Sequence, residues 1–202
     1  MSLVSYHVVG KDLHIPGIAY DYVMAGDGLW VEAGNPLISA RVPVVEAKVR
    51  GLGSIGRSLR LYQGKVPQRL WDLALSVMLA SPERERYIGI RWSSGYQLYV
   101  PEQDGTVASV KYQPGDNILV DLHSHAGMEP FFSGIDDRDE QGLKIYGVVG
   151  LLDKAVPVAE LRIGVYGYYM PVKWADIFDG ELNNVIDITA MNASITEQEA
   201  AQ

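Results

Sequence analysis

The sequence contains no cysteine, and this absence excludes several kinds of site at once. A chain without cysteine has no disulfides, no thiolate nucleophile, no zinc ribbon and no iron–sulfur cluster. Any metal ion would have to be held by histidine, aspartate or glutamate. Histidine is itself scarce, with four in 202 residues. The spacing of these four histidines therefore decides whether the chain can form a metal site.

Long apolar runs are also missing from the sequence. No uninterrupted run approaches the roughly 18 apolar residues that a membrane-spanning helix needs. The first residues lack the basic start and the apolar core of a secretory signal. From these two absences we expect a cytoplasmic protein that does not bind or cross a membrane.

An excess of basic residues is the third absence. The chain has 17 Lys and Arg against 25 Asp and Glu, a formal net charge of −8 and a pI of about 4.9. A general nucleic-acid-binding protein must neutralise phosphates, so this balance argues against nucleic acid as a partner. Hydrophobic residues make up 48% of the chain and charged ones 21%, which is the composition of a folded globular protein.

The N-terminal third of the chain has the pattern of short strands. Residues 1–65 are rich in glycine and β-branched residues and show no helical period, which predicts a β-rich N-terminal extension. Within it, Tyr20 to Met24 and Leu29 to Glu32 flank a glycine-containing turn and are predicted to form a hairpin. The run Gly51 to Gly56 matches G-x-G-x-x-G, but the residues after it read as extended. With no helix N-terminus to receive a pyrophosphate, we do not expect dinucleotide binding.

Residues 66–180 alternate between helical and strand patterns and are predicted to form the main domain. Residues 181–202 are predicted to be a C-terminal segment with a frayed end. Apolar residues at helical spacing predict a helix from Pro67 to Ser81. A second helix is predicted from Ser133 to Ile145, with Ser133 as the N-cap and an acidic first turn. Strands are predicted at Tyr87–Trp92, Tyr96–Val100, Val107–Tyr112, Ile118–His125, Tyr146–Leu152 and Glu160–Tyr169.

Two histidines close the strongly apolar strand that begins at Ile118. His123 and His125 are two residues apart, so on a strand their side chains point to the same face. Asp136 follows one turn into the predicted helix, where it could face back toward the strand end. Taken separately, a His-x-His pair is often a polar strand end and Ser-x-x-Asp an ordinary helix start. Together they form His-x-His-x7-Ser-x2-Asp, whose two histidines and aspartate suit zinc and leave a fourth position for water.

This pattern resembles the defining motif of the JAMM (MPN+) family of zinc-dependent isopeptidases and deubiquitinases, which includes the prokaryotic JAB proteins. The resemblance implies an α/β fold of the cytidine-deaminase-like JAB/MPN type, in which a mixed, curved sheet is flanked by helices. It also implies that His123, His125 and Asp136 are the ligands of a Zn²⁺ ion. By the same resemblance, Ser133 is a catalytic residue that helps to hold the oxyanion.

The family also requires a glutamate at the start of a strand that follows a helix. Glu85 matches this position best and Glu83 is the alternative. The run after Glu85 reads Tyr-Ile-Gly-Ile-Arg-Trp, where the family usually has a Gly-Leu-Leu-Gly-like sequence. In the mechanism that the resemblance implies, this glutamate takes a proton from the metal-activated water and passes it to the leaving amine.

A narrower resemblance concerns the segments Val49 to Gly53 and Leu61 to Pro67, which look like the protein A family of the bacterial PRTRC gene cassette. It implies a ubiquitin-like protein or its conjugate as substrate and an E1-like, ThiF-related protein as a further partner. The expected activity is hydrolysis of the C-terminal tail or conjugates of that ubiquitin-like protein. Two alternatives stay open: a metal-binding scaffold that recognises such a partner without cleaving it, and a zinc hydrolase of small amides.

Several residues around the motif each allow two interpretations. Asp121 could orient one imidazole or be a surface charge. Phe131 and Phe132, between the histidines and Ser133, would contact substrate if exposed and pin the loop if buried, and we expect one of each. An aromatic group late in the chain is expected to pack on the sheet or to line a groove for an extended peptide. It consists of Tyr166, Tyr168, Tyr169 and Trp174.

Overall fold

The computed structural model describes residues 2–11, 14–106, 110–113 and 115–189. Within these ranges the chain is α/β, with many strands, few helices and sheets that contain both parallel and antiparallel pairs. None of the helices in these ranges has both the length and the apolar content needed to span a membrane. The fraying expected near the C-terminus, and part of the strand predicted at Val107–Tyr112, lie outside the described residues.

The chain divides into two compact units. The first consists of Met1–Gln63 together with Ile135–Leu143 and Ile163–Met170. The second consists of Gly64–Gly134, Lys144–Arg162 and Pro171–Gln202. Each unit is therefore built from segments that are separated in the sequence.

The first unit contains a five-stranded sheet in the order β1-β2-β3-β4-β5. Its strands are β1 (Val4–Val8), β2 (Tyr20–Ala25), β3 (Gly28–Gly34), β4 (Ile38–Glu46) and β5 (Ser58–Leu61). The β1–β2 pair is parallel and the other pairs are antiparallel. The predicted hairpin is confirmed as the β2–β3 pair, and alternate side chains such as Val23, Ala25 and Trp30 are buried in a hydrophobic cluster.

The larger sheet has seven strands, six of them in the order β13-β12-β11-β10-β6-β7, with β14 paired to β12. Its strands are β6 (Tyr87–Trp92), β7 (Tyr96–Tyr99), β10 (Ile118–Ser124), β11 (Leu143–Gly150), β12 (Val158–Val165), β13 (Tyr168–Pro171) and β14 (Ile186–Asp187). A separate two-stranded ribbon is formed by β8 (Gln103–Gly105) and β9 (Val110–Tyr112). Strand β10 is parallel to β11 and antiparallel to β6, so the sheet is mixed and the strand carrying the histidines has a neighbour on each side.

The helix predicted from Pro67 to Ser81 is confirmed as α1 (Gln68–Leu79), with Pro67 at its N-cap. Its buried face consists of Leu70, Trp71, Ala74 and Met78, the spacing expected of an amphipathic helix. Trp71 packs edge-to-face against Phe178, just after the short helix α3 (Trp174–Ile177), with ring centroids 5.3 Å apart.

The helix predicted from Ser133 to Ile145 is wrong. Only one turn, α2 (Asp136–Asp139), is helical, and its N-cap is Ile135 without a side-chain capping bond, so Ser133 is not the N-cap. From Leu143 onward the chain is the buried strand β11, which pairs with β10. A continuous apolar run suits a fully buried strand as well as a helix, and its pairing partner decides between the two.

The single strand predicted from Glu160 to Tyr169 is also wrong, because the chain turns within it. Strand β12 ends at Val165, and Tyr166 and Gly167 have φ angles of +49° and +87°. Two successive residues with positive φ form the tight turn that suits a twisted hairpin, and glycine takes this conformation without steric cost. The chain then returns as β13, beside β12.

Candidate metal centre

The two histidines of the motif lie at the carboxyl end of β10, and their backbone is held from both sides. The His125 N–H donates to the carbonyl oxygen of Val149 on β11 at 2.9 Å. The Ser124 N–H donates to the carbonyl oxygen of Arg86 beside β6, and the Ser124 hydroxyl accepts from the Arg86 N–H, both at 2.9 Å. These bonds hold in place the strand end that presents His123 and His125.

The two imidazoles approach each other closely. Their Nε2 atoms are 3.2 Å apart and their ring centroids 5.0 Å apart, and His125 is buried. Two nitrogens bound to one tetrahedral ion at about 2.0–2.1 Å would be about 3.3 Å apart. The observed separation therefore fits two ligands of the same metal ion.

Asp136, in the first turn of α2, completes the group. One ligand atom from each of His123, His125 and Asp136 lies within 4.8 Å of the other two, so these residues could hold a metal ion. No second group of this kind occurs in the part of the chain that the structure describes. Two imidazoles and a carboxylate are ligands that zinc accepts, and three protein ligands leave a coordination position for water.

The two candidate glutamates differ in burial and in their place along the chain. Tyr87 on β6 is opposite His123 and Arg86 bonds to Ser124, so Glu85 directly precedes the segment that lies beside the histidine strand. The Glu85 N–H donates to the carbonyl oxygen of Thr106 at 2.8 Å, and the residue is 7% exposed. The Glu83 side chain, in contrast, is 68% exposed and lies 3.9 Å from Arg84.

Ser133 lies in the connection between β10 and α2, three residues before Asp136, and is partly buried. Its hydroxyl can donate a hydrogen bond, as the sequence motif requires. The residue is positioned by this connection and not by a helix N-terminus.

Asp121 is not a surface charge. It lies two residues before His123 on β10, where its carboxylate accepts hydrogen bonds from the Tyr87 hydroxyl at 3.3 Å and from Lys144 Nζ at 3.4 Å. Burial raises the pKa of the Asp121 carboxyl, and the ammonium group of Lys144 opposes that rise. Asp121 therefore ties β10 to β6 and β11 below the histidines.

Of the two phenylalanines, Phe131 is exposed as expected, whereas Phe132 is only partly buried. The Phe132 ring lies edge-on to His123, with centroids 6.5 Å apart, and the guanidinium carbon of Arg162 is 3.8 Å from its centre. Phe131 is 50% exposed, with its ring centroid 4.9 Å from that of His125. Sequence reasoning missed Arg162, although a charged residue between the apolar Leu161 and Ile163 of β12 was a signal that could have drawn attention to it.

The aromatic residues late in the chain do not all share one environment. Tyr166 stacks on Tyr20 at 5.0 Å, and the hydroxyls of Tyr168 and Tyr22 are 2.6 Å apart. The hydrogen bond to Tyr168 is the main cause, and burial the second, of a raised pKa of Tyr22. Trp174 instead stacks on Phe178, with centroids 5.1 Å apart. The Tyr169 hydroxyl donates to the carbonyl oxygens of Asp137 and Glu140, both at 3.0 Å. The tyrosines and Trp174 therefore belong to different clusters.

Comparison with models of known protein families gives no match, and comparison with curated proteins gives no significant match. The function is therefore inferred from the residues of the site.

Proposed function

We propose that this chain is a zinc-dependent isopeptidase or peptidase of the JAMM type, with a JAB/MPN fold, that hydrolyses the C-terminal tail or conjugates of a ubiquitin-like protein. The observation that carries the proposal is the group formed by His123, His125 and Asp136. Glu85, which is buried just before β6, supports it. The sequence motif supports the family assignment. An E1-like, ThiF-related protein is a proposed further partner.

His123, His125 and Asp136 would hold the zinc ion, which when bound lowers the pKa of a coordinated water toward neutrality and polarises the scissile carbonyl. The Glu85 carboxylate accepts a proton from the attacking water and returns it to the leaving nitrogen. Because Glu85 is buried, that proton is kept from bulk solvent. The Ser133 hydroxyl donates a hydrogen bond to the oxyanion. Removing one such donor lowers kcat by about 10²–10³ in comparable enzymes.

The first test is metal binding. Titration calorimetry of chelator-treated protein is expected to show one zinc ion per chain, and His123→Ala and Asp136→Ala are expected to abolish that binding. Asp139→Ala is the matched control, because Asp139 is an exposed aspartate on the same helical turn. Undiminished zinc binding by His123→Ala would show that the ligands are elsewhere.

The second test is hydrolysis by the zinc-loaded protein. The probes are a ubiquitin-like domain with a C-terminal peptide extension and the same domain joined to a lysine side chain. Glu85→Gln is expected to lower kcat by about 10²–10⁴ without loss of zinc, since it removes the general base. Glu83→Gln, the matched control, should retain full activity.

Two results of the hydrolysis test would contradict the proposal. Full activity of Glu85→Gln would mean that the base is another residue. If the wild-type protein binds zinc and the ubiquitin-like domain but cleaves neither probe, the chain is a metal-binding scaffold and not a hydrolase.

A further inference from the structure

The loop from 126 to 132, which we call the metal-site loop, is fastened to the end of β11. Ala126, directly after His125, has a φ of +49° and turns the chain sharply away from the strand. The N–H groups of Leu151 and Leu152 donate to the carbonyl oxygens of Met128 and Ala126 at 2.8 and 2.9 Å. These bonds give the loop a defined position beside the histidines.

Within this loop, Phe132 has a structural role. Its ring is held between His123 and the guanidinium group of Arg162, which is 8% exposed. A guanidinium this close to an aromatic face is attracted by the ring's negative surface, and the attraction is stronger when the pair is removed from water. Phe132 therefore links the loop to His123 and to β12.

The neighbouring Phe131 lacks this enclosure. Half of its surface is exposed, although its ring contacts His125 edge-on, with an interplanar angle of 70°. Met128, on the same loop, is also exposed. Folding therefore leaves about half of this residue free to contact a ligand, and an aromatic side chain in full contact buries about 150–250 Å². An exposed apolar side chain on a fixed loop beside a ligand histidine is positioned to contact whatever binds there.

We propose that Phe131 determines substrate specificity by packing against an apolar side chain next to the scissile amide. This inference rests on the proposed function and adds the class of residue that the site prefers. An aliphatic or aromatic group there buries surface against the ring, whereas a charged group would lose its hydration without a partner. Because the loop is already ordered, this contact requires little loss of conformational freedom.

The test uses two zinc-binding probes that differ in their apolar part, acetohydroxamate and benzohydroxamate. Their dissociation constants for the zinc-loaded protein are measured by titration calorimetry, which does not depend on turnover. Wild-type protein is expected to bind benzohydroxamate about tenfold more tightly. Phe131→Ala should bind both probes with similar affinity and should retain wild-type affinity for zinc and for acetohydroxamate.

Two further variants serve as controls. Phe131→Tyr keeps the ring and is expected to keep the preference. Leu73→Ala removes a similarly exposed apolar side chain from α1 and is expected to change nothing. If wild-type protein shows no preference, or if Phe131→Ala retains it, the inference is wrong. A loss of zinc affinity in Phe131→Ala would also overturn it, because Phe131 would then be a support for His125.

These outcomes separate the inference from the proposed function. Zinc binding without a preference for benzohydroxamate contradicts the inference alone. A preference without cleavage of the ubiquitin-like probes contradicts the hydrolytic function alone. Failure to bind zinc contradicts both.

Discussion

The Asp27 carboxylate, in the turn between β2 and β3, accepts hydrogen bonds from the N–H groups of Ile55 and Gly56 and from the indole of Trp30. These bonds join the turn to the glycine-rich loop that precedes β5. Burial alone would raise the pKa of Asp27, but the bonds from Gly56 and Ile55 outweigh it and hold the pKa below its ordinary value of 3.8. The folded state therefore favours the ionised carboxylate.

We expect Asp27 to make the stability of the protein depend on pH. Its folded pKa lies below its unfolded pKa, so its contribution is complete above about pH 5 and is lost as the pH falls through the folded pKa. Asp27→Asn cannot ionise and should unfold at a lower temperature than the wild type at pH 7. This difference should shrink toward pH 3 in thermal unfolding followed by circular dichroism.

The matched control is Asp116→Asn, because Asp116 is an exposed aspartate. Its unfolding temperature should follow that of the wild type at every pH. A difference between wild type and Asp27→Asn that stays constant from pH 7 to pH 3 would contradict the role assigned to the ionised carboxylate.

Among the elements, the junction between β11 and the metal-site loop leaves no room for a side chain on β11's last residue. Gly150 ends β11, and a Cβ atom there would clash with the carbonyl oxygen of Met128 and lie 2.6 Å from the nitrogen of Pro130. These are backbone atoms, which cannot move as a flexible side-chain tip can. Glycine at this position therefore lets the loop lie close beside β11, whose Val149 carbonyl oxygen accepts the hydrogen bond from the His125 N–H.

Gly150→Ala is expected to displace the metal-site loop. We expect a loss of about 1–3 kcal/mol in the free energy of unfolding, typical of overpacking, and a zinc affinity at least about tenfold weaker. Urea unfolding and zinc titration measure the two effects. Gly34→Ala is the control, because its Cβ would meet only the Ser39 side chain, at an ordinary 3.5 Å. Wild-type stability and zinc affinity in Gly150→Ala would show that the loop does not need this close approach.

For the whole molecule, metal binding and folding should be linked. His123 and His125 share the end of β10, but their position relative to Asp136 depends on the folded chain. An ion that binds the native state and not the unfolded one stabilises the protein by mass action. The net charge of −8 also favours association with a cation at low ionic strength.

Zinc should therefore raise the unfolding temperature, and a chelator should reverse the rise. At free zinc of about 100 times its dissociation constant, the free energy of unfolding is expected to increase by about 2.7 kcal/mol. Thermal unfolding with and without zinc measures this, with His123→Ala as the control. An equal increase in His123→Ala would indicate that zinc stabilises the protein at another place.

Local sequence patterns predicted those helices and strands whose formation depends on residues close to each other in the sequence. The β2–β3 hairpin and helix α1 were predicted near their observed bounds, because turn residues and apolar spacing act within a few positions of each other. The His-x-His pair could likewise be placed on one face from strand geometry alone. The run from Leu143 to Gly150 was misassigned in part, because its identity as a strand depends on pairing with β10.

The sequence by itself determined which side chains can bind a metal, because the absence of cysteine and the spacing of His123, His125 and Asp136 leave few other donor sets. Only the tertiary structure separated the two candidate glutamates, since the burial of Glu85 and the exposure of Glu83 depend on contacts between distant segments. It also decided that Phe132 packs against His123 and Arg162 while Phe131 is half exposed. Adjacent residues of the same type carry no local signal that distinguishes them, and their difference comes from Arg162 on another strand.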